Sequence, residues 1–389
     1  MVQVVRRVAA SAARRWSASP VASRSVRSLT PCSVLSCNLP LPVASVRSFA
    51  TSPGSIFDLT QTLKAQETAT DARVAAINAL ELSSSLDKSV KERHAVEIVD
   101  SDALETLLSF LQDSDTIVSS DLLVPAFLAL IRLSTESLLA QELLRLKTPE
   151  ILTPFLTQTD PRLQAAALLT LGNLALEPAD ACSSPKVVGA VLSVLASPHE
   201  AIKRAAATCV ANIASNDSGR RQIIEQDGVL RVGELLEDEY SDPLRSAAAF
   251  ALGNILSGRD IDAQDLLRES GALPALVLLL SPIFAEDVNS SAAWAVHHGV
   301  HLNAASQLLV AEAGGLAMLV QHLASGALET LQTNALLALE SAVISNDDNL
   351  AWCRDNGADV ALQRVQDTDG DSLNTNAKQA LTSLLDQLK

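Results

Sequence analysis

Aromatic side chains are scarce in this chain: Phe, Trp and Tyr together make up 3% of its 389 residues, although 48% of the residues are apolar. A core of this composition has to be filled by aliphatic side chains, and Ala and Leu dominate here. Both are strong helix formers, and the small Ala side chain lets helices approach closely. The composition therefore favours a large core built between helices.

Long apolar runs, paired cysteines and catalytic signatures are also missing. No stretch of about 18 apolar residues is present, so we expect no membrane span. The five cysteines form no CxxC pair and show no zinc spacing, which argues against a disulfide scaffold or a zinc module, and Cys209 fits a small buried thiol. Neither a GxxxxGKS/T phosphate loop nor a GxSxG elbow occurs. We therefore expect a protein that is not an enzyme and that uses no metal or other cofactor.

The charge is strongly negative and unevenly placed. The formal net charge is −16 at pH 7. Because binding to a phosphate backbone requires a basic face, the chain is not expected to bind nucleic acid. No acidic residue occurs before Asp58, whereas seven arginines do. They are residues 6, 7, 14, 15, 24, 27 and 47.

The acid-free start is typical of an organelle targeting sequence, which is rich in Arg and Ser and poor in acidic residues. The stretch "VRSFATS" (46–52) resembles the arginine-containing processing sites of mitochondrial precursors. We expect a disordered transit peptide over 1–49, a linker over 50–57 and import into the mitochondrial matrix. A chloroplast address and a basic tail on a cytoplasmic protein are the alternatives. Cleavage near Phe49 removes seven positive charges and leaves a net charge of −23.

An internal repeat organises the rest of the chain. The stretch "QAAALLTLGNLALE" (164–177) is apolar on nearly every side except for one Asn, and "RAAATCVANIASND" (204–217) and "SAAAFALGNILSGR" (246–259) repeat this pattern. Each such helix is preceded by a short helix, a bend and an apolar helix. When the segments are aligned on the position of this Asn, the aligned positions are about 42 residues apart. They are Leu82, Arg132, Asn173, Asn212, Asn254, His298, Ser341 and Ser383. The glycines expected to supply a positive φ at the bends are Gly228, Gly271, Gly314 and Gly357.

A period of about 40 to 47 residues with two or three helices per unit indicates armadillo or HEAT architecture. The pattern resembles the armadillo repeat, whose second helix carries "LPxLVxLL" and whose third carries "AAWALxNLA". This chain matches with "GALPALVLLL" (271–280) and "AAWAVHHGV" (292–300). The resemblance implies an all-α, right-handed superhelical solenoid of about eight armadillo repeats with three helices each. We expect divergent armadillo-like repeats over 58–146 and regular armadillo repeats over 147–388.

The resemblance also implies a binding surface. In armadillo proteins such as importin-α and β-catenin, an extended peptide lies along a concave groove, where Asn amides of third helices bind its main chain and neighbouring pockets bind its side chains. The corresponding groove residues here are Asn173, Asn212, Phe250, Asn254, Trp294 and His298. The alternative is that each Asn bonds to backbone at its own helix end or in the adjacent unit. The chain is thus expected to be a scaffold that binds a protein partner, either an extended segment or a folded domain.

Most of the surface of a third helix is expected to be buried, because the helix packs against its own unit and both neighbours. One stripe then remains exposed. We call third-helix stripe the set of positions that lie four residues before each polar position, on the same helix face. Its members are Leu169, Thr208, Phe250, Trp294, Leu337 and Gln379.

Two other functions are kept open. One is an assembly or regulatory factor that binds a folded protein, similar to the armadillo-type stimulators of nucleotide exchange in small GTPases. The other is a metal protein or enzyme that uses His297 and His301, whose i,i+4 spacing suits zinc although no acidic or Cys residue completes the set locally. Importins carry repeated pairs of Trp and Asn on their third helices. This chain has one Trp at such a position, Trp294, and its partner is His298 rather than Asn, so binding of classical nuclear signals is not expected.

Overall fold

The computed structural model describes residues 56–65, 73–74, 76–77, 80, 88–112, 120–178 and 180–389. These residues belong to one compact unit. The expected transit peptide, most of the expected linker and Leu82 lie outside the described residues. Within them, the chain forms 21 α-helices and three short 3₁₀ segments and has no strand, which confirms the expected all-α class.

The helices follow one another in the order that the repeat predicts. The N-terminal part holds α1 (Ile56–Lys64), α2 (Lys88–Asp100), α3 (Ala103–Gln112) and α4 (Ser120–Leu133). Next come α5 (Ser137–Arg145), α6 (Thr148–Leu152), α7 (Pro161–Leu174), α8 (Pro185–Val194), α9 (Glu200–Ile213), α10 (Asp217–Glu225), α11 (Gly228–Gly233) and α12 (Asp242–Leu256). The last nine are α13 (Ile261–Glu269), α14 (Ala272–Leu279), α15 (Glu286–Val300), α16 (Ala304–Glu312), α17 (Gly315–Ser325), α18 (Glu329–Val343), α19 (Asp347–Asp355), α20 (Ala358–Thr368) and α21 (Thr375–Leu388).

The third helices of the units are α4, α7, α9, α12, α15, α18 and α21. Successive third helices pack side by side: α9 lies between α7 and α12, and α15 lies between α12 and α18. On α12, for example, Ala248, Ala249 and Leu252 are fully buried. A helix enclosed by its own unit and both neighbours has to be apolar nearly all round, and its Ala residues allow the close approach. One unit departs from the three-helix pattern, because a 3₁₀ turn (Asp180–Ser183) replaces its first helix.

The bend between the first and second helices requires one residue in the left-handed region. Gly271, Gly314 and Gly357 have φ of 85°, 81° and 74°, as expected from the sequence. The expectation for Gly228 is wrong, because the positive φ of 60° belongs to Asp227, the residue before it. Gly228 has a different role: a Cβ there would lie 2.2 Å from Cγ2 of Ile223. Glycine at that position therefore permits close packing rather than a left-handed turn.

A second recurring signal lies at the start of the first helices. The N-cap residues of α10, α13, α16 and α19 accept a hydrogen bond from the backbone N–H three residues later, at 2.7 to 3.1 Å. This bond satisfies one of the free N–H groups of a helix start. The caps recur about every 43 residues, at Asn216, Asp260, Asn303 and Asn346.

The three described cysteines are buried and free. Burial raises the pKa of Cys353 to about 11 and that of Cys182 to about 12, and it raises the pKa of Cys209 as well. Protonated, enclosed thiols are poor nucleophiles. The expectation that Cys209 is a small core side chain is confirmed.

No single helix among the described residues is both long and apolar enough to cross a membrane. One pair, Ala304–Glu312 with Gly315–Ser325, meets that test by length and composition when taken together, and it is bent by 71°.

Candidate functional site

The third-helix stripe reaches the surface at every position. Phe250 is 42% exposed, Gln379 is exposed, and the side chains at the four other positions are half-buried. Most of the neighbouring residues on the same helices are buried. The stripe is therefore a continuous row that crosses successive units, with its two aromatic residues, Phe250 and Trp294, on the adjacent helices α12 and α15.

The Asn amides connect one third helix to the next. Nδ2 of Asn212 donates to the carbonyl oxygen of Gly172 at 2.9 Å, and Nδ2 of Asn254 donates to that of Ala211 at 3.0 Å. Both carbonyls lie in the last turn of the preceding third helix, where backbone oxygens lack intrahelical partners. This arrangement is the alternative use of the amides, a bond to the adjacent unit. Asn212 and Asn254 are half-buried, and each keeps a second amide hydrogen outside these bonds.

Asn173 differs from the other two. Its Nδ2 donates both to the carbonyl oxygen of Ile131 and to Oγ of Ser134, each at 3.0 Å. Both amide hydrogens are thus used, and the residue is only 9% exposed. Asn173 was expected in the groove, but its side chain is enclosed between α4 and α7, because Ser134 supplies an acceptor that the next two units lack.

The orientation of the Trp294 ring is fixed by a hydrogen bond and by the space that Gly253, which has no Cβ, leaves for the ring. Its Nε1 donates to Oδ1 of Asn254 at 3.0 Å. Its ring lies against Gly253, where an added Cβ would come within 2.2 Å of Cδ1 and 2.7 Å of Nε1. The Gly–Asn pair at 253–254 therefore holds the indole of the following unit in one orientation.

We expect Gly253→Ala to displace the Trp294 ring and to lower the free energy of unfolding by about 1–3 kcal/mol, the range for overpacked positions. The emission maximum of Trp294, recorded with Trp16 and Trp352 replaced by Phe, should shift. Gly172→Ala is the matched control, because it occupies the equivalent position in α7 and the nearest atom, Nδ2 of Asn212, is 3.4 Å away. Equal effects of the two substitutions would contradict the close contact of Gly253 with Trp294.

The histidines of "HHGVH" lie mostly inside the protein. His298, expected to line the groove, is only 7% exposed, and both of its ring nitrogens are enclosed without a hydrogen-bond partner. Its ring meets the Trp294 ring edge-on, with centroids 4.3 Å apart, so the indole contributes to its cover. Nδ1 of His297 lies 2.9 Å from the carbonyl oxygen of Leu337 and 2.7 Å from Oγ of Ser341.

The two histidines considered as zinc ligands share a serine. Nδ1 of His301 also contacts Oγ of Ser341, at 3.2 Å. The ring centroids of His297 and His301 are 6.2 Å apart. Among the described residues, no group of three or more His, Cys, Asp or Glu side chains is arranged to hold a metal ion.

Acid should destabilise the fold through the two buried histidines. Burial holds the pKa of His297 at about 4 and that of His298 at about 3, below the ordinary value of 6.5. For His298, the positive charges of His297, Arg259, His301 and Arg220 lower the pKa further. Because the unfolded chain takes up protons near the ordinary value and the folded protein does not, the free energy of unfolding falls as the pH drops below that value.

We expect His298→Asn to reduce this loss, measured as the difference in unfolding free energy between about pH 7 and about pH 5 in urea titrations. The matched control is His199→Asn, the same substitution at an exposed histidine. A wild-type pH dependence in His298→Asn would contradict the burial of a neutral imidazole.

Two glutamines in first helices cap the C-terminal ends of third helices, a role that was not expected from the sequence. Nε2 of Gln264 donates to the carbonyl oxygens of His298 and His301, at 2.7 and 3.3 Å. Nε2 of Gln307 likewise donates to those of Ser341 and Ile344, at 2.9 and 3.0 Å. The recurrence of a Gln 43 residues apart, four residues after each N-cap, is the signal that could have identified them.

Comparisons with known proteins bear on the fold. No protein-family model matches the chain. Importin subunit alpha-8 of Arabidopsis thaliana is 29% identical over 175 residues, which make up 45% of this chain and 38% of that protein, so the match spans less than half of the relative. A designed armadillo repeat protein superimposes with a TM-score of 0.55 at 25% identity, over 62% of this chain and 99% of that one. An engineered protein gives the same TM-score at 27% identity, over 61% of this chain and 96% of that one.

The fold is therefore the all-α solenoid of armadillo repeats, and the armadillo relationship expected from the sequence is confirmed. Such a solenoid presents a long surface built from successive units. This architecture is typical of non-enzymatic scaffolds that bind proteins.

Proposed function

We propose that this chain is a non-enzymatic scaffold that holds a protein partner along the third-helix stripe, and that it acts inside mitochondria. The supporting observation is the exposure of Phe250: it is 42% exposed on a helix most of whose residues are buried. Trp294 follows it on the next unit, half-buried and fixed by Asn254. Aromatic residues held rigidly at the surface are the residues that most often anchor protein interfaces.

Polar groups beside the aromatic residues suit a main chain laid across the units. Asn212 and Asn254 each have one amide hydrogen outside the bonds that join the third helices. These hydrogens can be donated to a partner's carbonyl oxygens without breaking the existing bonds. A row of apolar contacts with interspersed donors is the arrangement that recognises an extended segment.

Site-specific photocrosslinking tests the proposal. A benzoylphenylalanine in place of Phe250 in the full chain, activated in isolated mitochondria, should give adducts with one protein. The matched control places it at Ile283, which is 65% exposed but follows the second helix α14 and lies outside the stripe. Adducts that map to a single continuous partner segment support the proposal. Adducts spread over distant parts of a folded domain favour the regulatory factor, and identical adducts from both positions would refute a role of the stripe.

The mitochondrial part of the proposal predicts that residues 1–57 carry the address. The segment contains seven Arg and no acidic residue, as matrix targeting sequences do. Fused to a fluorescent protein, it should direct the fusion to mitochondria, and the N-terminus of the imported chain should begin near residue 50. A fusion that carries the same segment with its seven arginines changed to Gln should remain outside mitochondria. A diffuse signal from the unmodified segment would contradict the assignment, and a plastid signal would replace it with the chloroplast alternative.

A further inference from the structure

Two neighbouring junctions between units are built on the same plan. We call Ser306 junction the place where the end of α15 meets α13 and α16, and Asn349 junction the place where the end of α18 meets α16 and α19. In the first, Nε2 of Gln264 donates to two carbonyl oxygens at the end of α15. In the second, Gln307 does the same at the end of α18. Corresponding residues are 43 positions apart, so the two junctions can be compared group by group.

In the Asn349 junction, side-chain amides pair with the buried oxygens. Nδ2 of Asn349 donates to the carbonyl oxygens of Gln307 and Ala342, at 3.3 and 2.8 Å. Oε1 of Gln307 accepts a hydrogen bond from Nδ2 of Asn346, the N-cap of α19, at 3.1 Å. Pairing of this kind is the rule for buried polar groups. A single amide, that of Asn349, thus connects three helices.

The Ser306 junction lacks this amide. Ser306 takes the position of Asn349, and the backbone N–H of each donates to Oδ1 of its N-cap residue, at 3.1 and 3.0 Å. The serine side chain is two heavy atoms shorter than that of asparagine. Its Oγ is fully buried and has no hydrogen-bond partner among the described residues. The carbonyl oxygen of Gly299, which corresponds to that of Ala342, therefore receives no donor from this side chain.

A second buried oxygen in the Ser306 junction is unpaired for a different reason. Oε1 of Gln264 is enclosed and has no hydrogen-bond partner in the part of the chain that the structure describes. The corresponding donor is Nδ2 of Asn303, but this group donates to Oδ1 of Asp265, at 3.0 Å. Asp265 takes the position of Leu308, which offers no acceptor to the next cap. Because a carboxylate is a stronger acceptor than an amide oxygen, it draws the Asn303 amide away from Gln264.

The unpaired groups define the chemistry of what would bind between the three helices. Oε1 of Gln264 and the carbonyl oxygen of Gly299 only accept hydrogen bonds, whereas the hydroxyl of Ser306 can donate one. A matching group needs two donors and one acceptor. It needs no charge, because Asp265, the carboxylate beside the junction, already pairs with Arg268 at 3.1 Å. A water molecule has this combination, and it is smaller than the two heavy atoms by which Asn exceeds Ser.

We propose that the Ser306 junction binds one buried water molecule, which accepts a hydrogen bond from Oγ of Ser306 and donates to Oε1 of Gln264 and to the carbonyl oxygen of Gly299. About three hydrogen bonds is the usual number for a buried water. This water takes the role that the Asn349 amide has in the next junction. It stabilises the end of α15, the helix that carries Trp294. The site goes beyond the proposed scaffold function and does not depend on it.

Two substitutions at Ser306 in the full chain test the site through the midpoint of urea unfolding. Ser306→Asn should leave the midpoint unchanged or raise it, because the longer amide replaces the water as it does in the Asn349 junction. Ser306→Ala should lower the midpoint, because the water then loses the hydroxyl that donates to it. The matched controls are Ser215→Asn and Ser215→Ala, at an exposed serine that follows α9, and they should shift the midpoint little.

The direction of each shift decides between the alternatives. A higher midpoint for Ser306→Ala would mean that the hydroxyl is buried without a partner, and a lower midpoint for Ser306→Asn would mean that the junction has no room for a water; either result overturns the proposal. A crystal structure of the full chain should show one density peak at about 2.7–3.2 Å from the three oxygens. The amide should replace this peak in Ser306→Asn. Distances to the peak below about 2.6 Å would identify a metal ion and also overturn the proposal.

Discussion

The triple variant Asn173→Ala, Asn212→Ala, Asn254→Ala should be markedly less stable than the wild-type protein. Each amide donates to a carbonyl at the end of the preceding third helix, at 2.9 to 3.0 Å. Truncation leaves that carbonyl without its partner at the junction of two units, which costs about 1–3 kcal/mol per site. The melting temperature, followed by circular dichroism, should fall clearly. Among the three single variants, Asn173→Ala should lower the melting temperature most, because the amide of Asn173 makes two hydrogen bonds and is the most buried.

Asn376→Ala is the matched control, because Asn376 is exposed in the first turn of α21. That substitution should change the melting temperature little, since exposed sites without a structural partner are nearly neutral. The ligand-binding role expected from the sequence makes a different prediction for the triple variant. A melt like that of the wild type, together with weaker photocrosslinking of the partner from position 250, would show that the amides serve a partner rather than the junctions.

The repeat itself could be read from the sequence because burial on all sides leaves an unmistakable pattern. A third helix such as α12 must be apolar around its circumference, and no loop or surface helix has that composition. The period then follows from the recurrence of a single polar residue such as Asn254. The bend at Asp227 was misplaced by one residue, because Asp tolerates the left-handed region well enough to take a position that Gly occupies in later units.

The roles of the polar residues could not be read in the same way. An amide such as Asn212 can donate to a partner or to the carbonyl of Gly172, and the sequence spacing is identical in both cases. His298 occupies a position that the sequence assigned to the groove, but the Trp294 ring lies against it, and that contact depends on Gly253 having no side chain. The direction of a side chain at a junction is set by the neighbouring unit about 42 residues away, which local pattern does not reveal.

Leu252→Ala should destabilise the protein by about 2–5 kcal/mol, the range for large-to-small changes in a close-packed core. Leu252 is fully buried in α12, which packs against both α9 and α15, so the cavity would lie between three units. Because each unit of a solenoid is stabilised mainly by its neighbours, the loss should spread beyond one repeat and broaden or split the urea unfolding transition. The matched control is Leu308→Ala, the same chemical change at a residue that is 56% exposed on α16, and it should cost well under 1 kcal/mol. Similar losses at Leu252 and Leu308 would mean that the register of the third helix is wrong, and with it the assignment of Phe250, two residues earlier, to the exposed stripe.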